Sequence, residues 1–395
     1  MARIPDIPGT RILPRSKQEK SLRDTVARLC QCNGFPGSQP VSFARSDLLR
    51  LESDDFWVCE KSDGIRVLLL VYTEADSSSQ SVYLIDRNNK YYQIHGFSFP
   101  RHDNPRMPLL NTLVDGELVV QVDPFSNKET LCFPAFDCLV LNDQNIMSQP
   151  LTARYGKLKQ WFFEPFTRAE KHTRSFEIQI KEMNRSYHVD TVFASIPTLR
   201  HGNDGLVYTR VNAPYTPGTN ANILKWKPPS EISIDFKLVL RFPPLCGESR
   251  TLDSRAKPAF LLHMWCGDRP GSGSGSPRYE EYGELFVEDD EWERMKLSGR
   301  RYHGQIVEVQ WNAMLGRWRL MRLRDDKQNA NYRTVVERNV QIIAEGVDRD
   351  SLLERCAAIR LASKARSDSE LRFGRLATSK WSRVSGPSEL AGMKR

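Results

Sequence analysis

No stretch of this sequence approaches the roughly 20 consecutive apolar residues that a membrane-spanning helix needs. The N-terminus lacks the apolar segment of a secretory signal. Eight cysteines are scattered without a Cys-x-x-Cys pair or paired Cys/His spacing, so neither a zinc site nor a disulfide framework is indicated. These absences predict a soluble, intracellular protein with reduced thiols and no membrane partner.

Charge of one sign is also in little excess. The chain has 57 lysines and arginines against 49 aspartates and glutamates, which leaves a formal net charge of +8. This balance favours polyanionic partners weakly and identifies none. With 395 residues, the chain is long enough for two domains with separate hydrophobic cores.

Apolar periodicity in the first half of the chain predicts a mostly antiparallel sheet accompanied by helices. Apolar residues recur at helical spacing within residues 17–30, and residues 151–183 also have a helical pattern with aromatic anchors. The run at 65–72 is apolar on both faces, as expected for a strand that is buried on both sides. The predicted strands are residues 56–59, 65–72, 82–87 and 91–94, the last two joined as a hairpin.

A second unit begins near Ile234, where residues 235–242 alternate polar and apolar side chains as a strand does. Several short strands and one helix at 290–296 predict a small β-barrel. A Gly-Ser repeat at 271–276 interrupts this unit and indicates either a shortened or engineered loop or a natural flexible linker.

Lys61 lies in Glu60-Lys61-Ser62-Asp63-Gly64, a Lys-x-Asp-Gly pattern that is weak alone because a surface turn explains Asp-Gly equally well. Five further patterned segments follow it in a fixed order, which chance rarely produces. They are Val114-Asp115-Gly116-Glu117-Leu118-Val119, Phe136-Asp137, Asp204-Gly205-Leu206-Val207-Tyr208, Leu224-Lys225-Trp226-Lys227-Pro228 and Arg322-Leu323-Arg324-Asp325-Asp326-Lys327. Together these segments predict a lysine that becomes covalently bonded to a nucleotide.

Such chemistry requires an uncharged amine. A lysine amine has an ordinary pKa of about 10.4 and is protonated at neutral pH, so the site must lower that pKa before the amine attacks phosphorus. Nearby cations have this effect. Lys225 and Lys227 alternate with Trp226 on a predicted strand and therefore point to one face, where we expect them to lie beside Lys61 and hold the α-phosphate. A solvated basic strand face is the alternative for this pair.

The ordered segments resemble those of the covalent nucleotidyltransferase superfamily, and within it the mRNA capping enzymes, whose GTP:RNA guanylyltransferases form a lysyl-GMP intermediate. Pro228-Pro229 followed by Ile234-Asp235-Phe236, and the segment from Arg322 to Lys327 behind Trp318, resemble capping enzymes rather than ATP-dependent ligases. The segment Gly34-Phe35-Pro36-Gly37-Ser38-Gln39-Pro40-Val41-Ser42-Phe43 is similar to the fungal-type enzymes.

This resemblance implies an α+β fold, with a nucleotidyltransferase domain of ATP-grasp-like antiparallel sheets and helices followed by an OB-fold β-barrel. We expect the first domain and its N-terminal helix at residues 1–233 and the OB-fold domain at residues 234–345. Residues 346–395 are expected to form a C-terminal helix, with 351–358 as its core, and a mobile basic tail after Ala365.

The resemblance also implies roles for single side chains. Lys61 is the expected nucleophile, Glu117 and Asp204 are the expected ligands of Mg²⁺ or Mn²⁺, Phe136 stacks on guanine and Lys181 reads its O6 edge. Each role has an alternative. Asp204 could belong to a turn, Phe136 to the core, and Lys181 to the solvated surface. Arg66 and Arg87 could form ordinary ion pairs, and Arg322, Arg324 and Lys327 could form an RNA-facing basic surface. The expected nucleotide-binding set is Arg66, Arg87, Glu117, Phe136, Lys181, Asp204, Lys225, Lys227, Arg322, Arg324, Asp326 and Lys327.

Two features add structural expectations. Pro134 lies two residues before Phe136, where relatives usually have an Arg-Tyr-Leu-like strand, and it predicts an edge strand or an irregular one. Arg322, Arg324 and Lys327 are far from the first domain in sequence but are expected to act on the β- and γ-phosphates of GTP. The OB-fold domain must therefore close onto the first domain for the attack, and open to release pyrophosphate and admit RNA.

The predicted activity is that of an mRNA guanylyltransferase, which transfers GMP from GTP through lysyl-GMP to the 5′-diphosphate end of nascent RNA. No His-Cys phosphatase signature is present, so a separate RNA 5′-triphosphatase is expected. The resemblance further implies the phosphorylated C-terminal tail of RNA polymerase II as a partner and the nucleus as the location. An ATP-dependent polynucleotide ligase and a non-catalytic RNA-binding OB-fold protein are the alternatives.

Overall fold

A computed structural model describes residues 4–74, 79–169, 174–245, 248–268 and 276–381. The Gly-Ser repeat lies outside these residues apart from Ser276, so both interpretations of that loop stay predictions. The end of the predicted tail, residues 382–395, also lies outside them. Within the described residues, no helix combines the length and the apolar character that crossing a bilayer requires.

Strands and helices alternate irregularly along the described chain. The strands are β1 (Thr10–Arg11), β2 (Ser38–Ser42), β3 (Phe56–Ser62), β4 (Ile65–Thr73), β5 (Gln80–Asp86), β6 (Tyr91–Ile94), β7 (Thr112–Val122), β8 (Glu129–Leu141), β9 (Gln144–Asn145), β10 (Glu177–Ile180), β11 (Asn184–Arg185), β12 (Asn203–Arg210), β13 (Gly218–Trp226), β14 (Ser233–Arg241), β15 (Pro244–Leu245), β16 (Glu248–Leu252), β17 (Ala259–Asp268), β18 (Pro277–Glu284), β19 (Ile306–Asn312) and β20 (Arg317–Leu323). The helices are α1 (Lys17–Cys30), α2 (Asp47–Ser53), α3 (Leu151–Lys157), α4 (Glu164–Arg168), α5 (Val189–Ser195), α6 (Asp289–Leu297), α7 (Arg333–Glu345) and α8 (Arg349–Trp381). A π-helical segment, Leu158–Phe163, joins α3 to α4, and single 3-10 turns occur at Ser186–His188, Ile196–Thr198 and Pro229–Glu231.

The first domain contains two sheets. One has the strand order β1-β6-β5-β4-β7-β8-β10, with β9 paired to β8, and the other has the order β11-β3-β12-β13-β2. All neighbours are antiparallel except β8 with β10 and β13 with β2. The predictions of a mostly antiparallel arrangement and of the β5–β6 hairpin are confirmed.

Strand β4 shows why both faces of the larger sheet are apolar. Val67, Leu69 and Val71 pack into one core together with side chains of the α3–α4 segment, whereas Leu68 and Leu70 pack against α1 on the opposite face. Burying a side chain of this size stabilises the fold by about 1.5–3 kcal/mol. The sheet is thus covered on both sides, which leaves the site to form at its junction with the second sheet.

Helix α1 has the predicted bounds, because the Ser16 side chain caps it by accepting the Glu19 amide N–H and the chain turns left-handed at Gln31. The helical prediction for 151–183 is wrong in its last part. Residues 177–180 form β10, since Ile178 and Ile180 alternate with polar residues and β10 pairs in parallel with β8.

The second domain is a five-stranded sheet ordered β18-β17-β14-β19-β20. Its two edges come together where the Phe286 N–H donates to the Trp318 carbonyl at 2.9 Å, so the sheet curls towards a barrel. Its core includes Phe236 and Trp292, the latter from α6, which closes one end. This arrangement agrees with the predicted α+β fold class.

The chain returns to the first domain after α7. Gly346 ends α7 in the left-handed region with a φ of 61°, and α8 then packs against the second sheet through Leu352 and Ile359. The indole N–H of Trp226 donates to the Val347 carbonyl at 2.9 Å. Helix α8 is much longer than the predicted helix at 351–358.

Candidate active site

A cavity of about 360 Å³ lies between the two sheets of the first domain. Both sheets line it, with β4, β7 and β8 on one side and β2, β3, β12 and β13 on the other. The structure brings these predicted site residues to its wall: Lys61, Arg66, Arg87, Glu117, Phe136, Lys181, Lys225 and Lys227. A larger cavity of about 590 Å³, between α7 and the second domain, has no lysine or arginine in its lining and offers no comparable chemistry.

Asp204 connects the two basic strands of the site. Its carboxylate accepts the Lys61 ammonium at 2.6 Å on one oxygen and the Lys227 ammonium at 2.6 Å on the other. Burial raises the pKa of Asp204, but the two ammonium groups outweigh burial and hold that pKa below its ordinary value. Asp204 therefore stays ionised and keeps both lysines in place.

Local backbone geometry places Asp204 opposite Lys61. Asn203 pairs with Ser62 and Leu206 with Glu60, so β12 has one residue more than β3 at this point and bulges. Gly205 has a φ of 137°, and a Cβ there would lie 2.1 Å from the Trp226 carbonyl oxygen. Only glycine fits this close approach, which explains the Asp-Gly pair of the segment.

Lys225 is a cation of the site that has no carboxylate partner among the described residues. No hydrogen bond or ion pair involves its ammonium group among the described residues. Burial lowers the pKa of Lys225, and the positive charges of Lys61 and Lys227 lower it further. An anion, such as a phosphate, would supply the missing partner.

Arg66 is bound by buried groups to which the sequence patterns gave no role. Its guanidinium donates twice to Asp115, at 3.0 and 2.5 Å, and once to the Ser38 carbonyl. The Tyr215 hydroxyl also donates to Asp115, at 2.5 Å, and accepts the Ser38 amide N–H at 2.9 Å. Burial lowers the pKa of Arg66, but Asp115, Tyr215 and Glu117 together outweigh burial and the pKa is raised. The guanidinium is thus fixed and charged at the cavity wall.

Asp115 was recognisable as part of the Val114-Asp115-Gly116-Glu117 segment, although its partner was not. Tyr215 lies 100 residues further along the chain, in a loop whose path the sequence pattern does not predict.

Lys181 lies in a buried group with Glu60 and Ser62. Its ammonium is 2.9 Å from the Glu60 carboxylate and donates to the Ser62 hydroxyl. Burial lowers the pKa of Lys181, but Glu60 outweighs burial and the net shift is upwards. Lys181 is therefore a charged donor in the cavity lining. Glu60 and Ser62 flank Lys61 in sequence, yet nothing in their spacing signalled this contact.

Phe136 lies at a second bulge. Asp115 pairs with Asp137 and Gly116 with Ala135, so Phe136 has no partner across β7. Its ring lies 5.6 Å from the Arg66 guanidinium and forms part of the cavity wall. Pro134 therefore lies in an irregular strand, as expected, but not in an edge strand, because β8 is flanked by β7 and β10.

Asp137 also belongs to the cavity lining, but its carboxylate has a structural contact. Arg154 donates to both of its oxygens, at 2.8 and 2.9 Å, and both side chains are buried.

Glu117 accepts the Gly64 amide N–H at 3.2 Å. Burial raises the pKa of Glu117, and Lys181 and Lys61 oppose that shift without cancelling it. With Asp204 it supplies two hard oxygen donors, the type that Mg²⁺ and Mn²⁺ prefer. No group of three or more potential metal ligands occurs among the described residues, so an ion here would take its other ligands from phosphates and water.

The structure does not bring the second-domain cations to this cavity. Arg324 and Lys327 both contact the buried carboxylate of Asp235, Arg324 at 3.1 Å, and Arg322 contacts Glu308 at 2.6 Å. Arg324 also binds Asp326, whose pKa this hydrogen bond lowers to about 2. None of these side chains lines the cavity, so the described arrangement is open.

A lysine paired with a carboxylate beside two more lysines, in a cleft between antiparallel sheets, is a site of the kind that covalent nucleotidyltransferases use. The profile of the mRNA capping enzyme catalytic domain matches residues 5–229, and that of the mRNA capping enzyme C-terminal domain matches residues 231–353. The chain belongs to the mRNA capping enzyme family.

Relatives of similar length agree with this assignment. The mRNA-capping enzyme subunit alpha of Yarrowia lipolytica is 39% identical over 92% of this chain and 93% of its own. The mRNA-capping enzyme subunit alpha of Saccharomyces cerevisiae is 35% identical over 89% of this chain and 85% of its own. Among solved structures, a mycobacterial DNA ligase D complexed with ATP and MES covers 74% of this chain and 95% of its own at 16% identity, with a TM-score of 0.37.

Proposed function

We propose that this protein is an mRNA guanylyltransferase that works through a covalent lysyl-GMP intermediate. One observation carries the proposal: Lys61 lies in a cavity beside Lys225 and Lys227, one of which has no protein anion to neutralise it. A phosphate between these side chains would be bound by two cations and face a third that can attack it.

In the first step, Lys61 gives up a proton to water and its Nζ forms a bond to the α-phosphorus of GTP. The bond from that phosphorus to the β-phosphate oxygen breaks, and pyrophosphate leaves with the electron pair. Glu117 and Asp204 would hold Mg²⁺ or Mn²⁺, which neutralises charge on the phosphates when bound. Because Asp204 pairs with Lys61 in the free protein, nucleotide binding must loosen that contact before attack.

Binding of the guanosine is divided among the other groups of the cavity. Phe136 would stack on the base, Lys181 would donate to guanine O6, and Arg66 and Arg87 would contact the sugar and phosphates. Arg322, Arg324 and Lys327, with Asp326 beside them, would reach the β- and γ-phosphates once the second domain closes. In the second step the 5′-diphosphate end of RNA accepts the GMP.

The family supports further proposals about context. A separate RNA 5′-triphosphatase would produce the diphosphate end, the phosphorylated C-terminal tail of RNA polymerase II would recruit the enzyme, and the reaction would take place in the nucleus. Capping acts on nascent transcripts, which makes these the expected partners and location.

A labelling experiment tests the proposed reaction directly. The purified protein is incubated with Mg²⁺ and either α-labelled GTP or α-labelled ATP, and the modified peptide is identified by mass spectrometry. We expect a guanylate on Lys61 with GTP, no adduct in Lys61→Ala, and a normal adduct in Lys128→Ala, which removes an exposed lysine. An adduct formed with ATP alone would assign the protein to the polynucleotide ligases instead.

A further inference from the structure

A second cavity adjoins the nucleotide cavity and shares Lys225 and Lys227 with it. Its volume is about 130 Å³, and its other polar walls are Ser42 of the first domain, Ser233 at the domain junction and Asn339 of α7. We call it the junction cavity. A volume equal to that of about four waters suits a phosphate group but not a nucleoside.

The donors of the junction cavity favour an anion. Its two charged lining residues are both lysines, and the Lys225 ammonium has no partner among the described residues. Asn339 accepts the Ser42 hydroxyl at 3.4 Å through its amide oxygen, which leaves its amide N–H groups without an acceptor in the described part of the chain. The Ser233 hydroxyl, by contrast, donates to Glu308 and contributes no free donor.

Neighbouring backbone contacts fix these donors relative to one another. Lys225 and Ser42 are partners in the parallel pairing of β13 with β2. Arg338, next to Asn339 on α7, donates to the Ser42 carbonyl at 2.6 Å and adds positive charge that acts on Lys225. The cavity thus joins the phosphate-facing strand of the first domain to a helix that follows the second.

The open arrangement of the two domains indicates whether a phosphate of GTP or of RNA enters the junction cavity. In the described arrangement Arg324 and Lys327 bind Asp235 and are not in position to hold the pyrophosphate of GTP. The junction cavity is nevertheless formed. An open enzyme that carries lysyl-GMP is the species that meets RNA, so the cavity belongs to the arrangement present in the second step.

We propose that the junction cavity binds the terminal phosphate of the RNA 5′-diphosphate end, through Lys225 and Asn339, during GMP transfer. The inference rests on the proposed function and identifies the acceptor site of that reaction. Lys61 lines the nucleotide cavity but not the junction cavity, so a phosphate bound in the junction cavity does not take the place of the lysine.

The transfer is balanced as follows. A terminal-phosphate oxygen of the RNA forms a bond to the phosphorus of lysyl-GMP, and the bond from that phosphorus to Lys61 Nζ breaks. The electron pair of the broken bond stays on Nζ, which takes a proton from water. Asp204, 2.6 Å from Nζ in the free protein, then accepts the resulting ammonium again.

Separate measurement of the two half-reactions tests the proposal. Wild type, Asn339→Ala and Ser42→Ala are first labelled with GTP, freed of nucleotide, and mixed with 5′-diphosphate RNA over a range of concentrations. Gln341→Ala is the matched control, because Gln341 is exposed on the same helix and donates to Glu345 of that helix. Reversal by added pyrophosphate is measured on the same lysyl-GMP preparations.

We expect Asn339→Ala to raise the RNA concentration for half-maximal transfer by about tenfold, the effect of one lost hydrogen bond to a charged group. Labelling by GTP and reversal by pyrophosphate should keep their wild-type rates, and Gln341→Ala should match wild type throughout. Ser42→Ala, which loses only the contact that orients Asn339, should show a smaller effect of the same kind.

Two results would overturn the acceptor site. One is an unchanged RNA dependence in both variants. The other is an equal loss of pyrophosphate reversal, which would assign the junction cavity to the leaving group of GTP. A wild-type protein that takes no label from GTP would instead refute the proposed function, before any variant is compared.

Discussion

At the scale of single residues, the site is defined by an imbalance of charge. Four lysines line it; Asp204 pairs with Lys61 and Lys227, and Glu60 pairs with Lys181. Lys225 is left partly buried and without a partner among the described residues, and its pKa is lowered by burial and by the neighbouring lysines. The free protein is therefore under electrostatic strain that a bound phosphate relieves, so that binding of the substrate and stability of the fold are linked through Lys225.

Lys225→Met should make the free protein more stable while abolishing lysyl-GMP formation. The folded state lowers the pKa of Lys225, so the protonated side chain opposes folding below that pKa, and this cost fades as pH rises towards the ordinary value of about 10.4. We expect the free energy of unfolding in urea to rise by about 1 kcal/mol at pH 7, the order of one unpaired buried polar group, with a smaller gain at pH 10.

Lys128→Met, at an exposed position, should change the free energy of unfolding by less than about 0.5 kcal/mol at either pH. A Lys225→Met protein that is less stable than wild type at pH 7, or whose gain increases with pH, would contradict the charge imbalance.

Tyr215→Phe tests the support behind Arg66. The substitution removes a hydroxyl that donates to Asp115 and accepts from Ser38, so the buried carboxylate keeps only Arg66 as a partner. We expect thermal unfolding to report a loss of about 1–3 kcal/mol and GTP labelling to show a several-fold higher KM with little change in kcat. Tyr72→Phe is the control, because the Tyr72 hydroxyl has no hydrogen bond in the described residues. An unchanged KM for GTP would remove Arg66 from nucleotide binding.

At the scale of elements, irregular strands build the site. In a regular strand, side chains point alternately to the two faces of the sheet. Phe136 and Asp204 each lie at a bulge, which changes the direction of the side chain and places it beside the cavity. Alternation predicted a common face for Lys225 and Lys227, and both line the cavity, although Lys227 follows the last residue of β13. It could not predict Asp204 against Lys61, since a register shift has no periodic signal in the sequence.

Asp235 and Glu308 form a further element-level feature, since they are direct partners across β14 and β19 and hold the second-domain cations. Asp235→Asn removes the charge that positions Arg324 and Lys327. If these cations act on pyrophosphate, the variant should form lysyl-GMP about 10-fold to 100-fold more slowly, while transfer from preformed lysyl-GMP to RNA stays normal.

Rapid-quench measurement of each half-reaction separates the two effects. Arg241→Gln is a suitable control, because Arg241 lies on the same strand and forms an exposed pair with Glu281. Equal slowing of both half-reactions by Asp235→Asn would mean that the carboxylate supports the fold of the domain rather than the pyrophosphate contacts.

At the scale of the whole molecule, the sequence predicted the fold class but not how the last part of the chain packs on the first domain. Ordered motifs identified the fold class, and periodicity located α1, the β5–β6 hairpin and α6. The return of the chain to the first domain, through buried residues of α8 such as Leu352 and Ile359, escaped prediction, because no motif marked this helix. The domain limits at 233 and 345 stay predictions, since the segment after 346 packs with the first domain.

Helix α8 gives the first domain part of its core, and this leads to a prediction about truncation. Val347 accepts the Trp226 indole N–H, and Arg366 on α8 binds Asp55 at 2.7 Å. Trp226 lies between the two phosphate-facing lysines, so loss of the segment should disturb the strand that carries them. A chain that stops after Glu345 should unfold at a temperature many degrees lower and lose GTP labelling, because several buried contacts disappear together.

A chain that stops after Trp381 keeps all the described contacts and should label at the wild-type rate. Trp226→Phe removes the single indole hydrogen bond while the ring still packs, and we expect it to cost about 1 kcal/mol and to leave labelling measurable. If the chain ending at Glu345 is as stable and as active as the one ending at Trp381, α8 is an appendage. If it is not, the second domain is inserted between two parts of one catalytic unit.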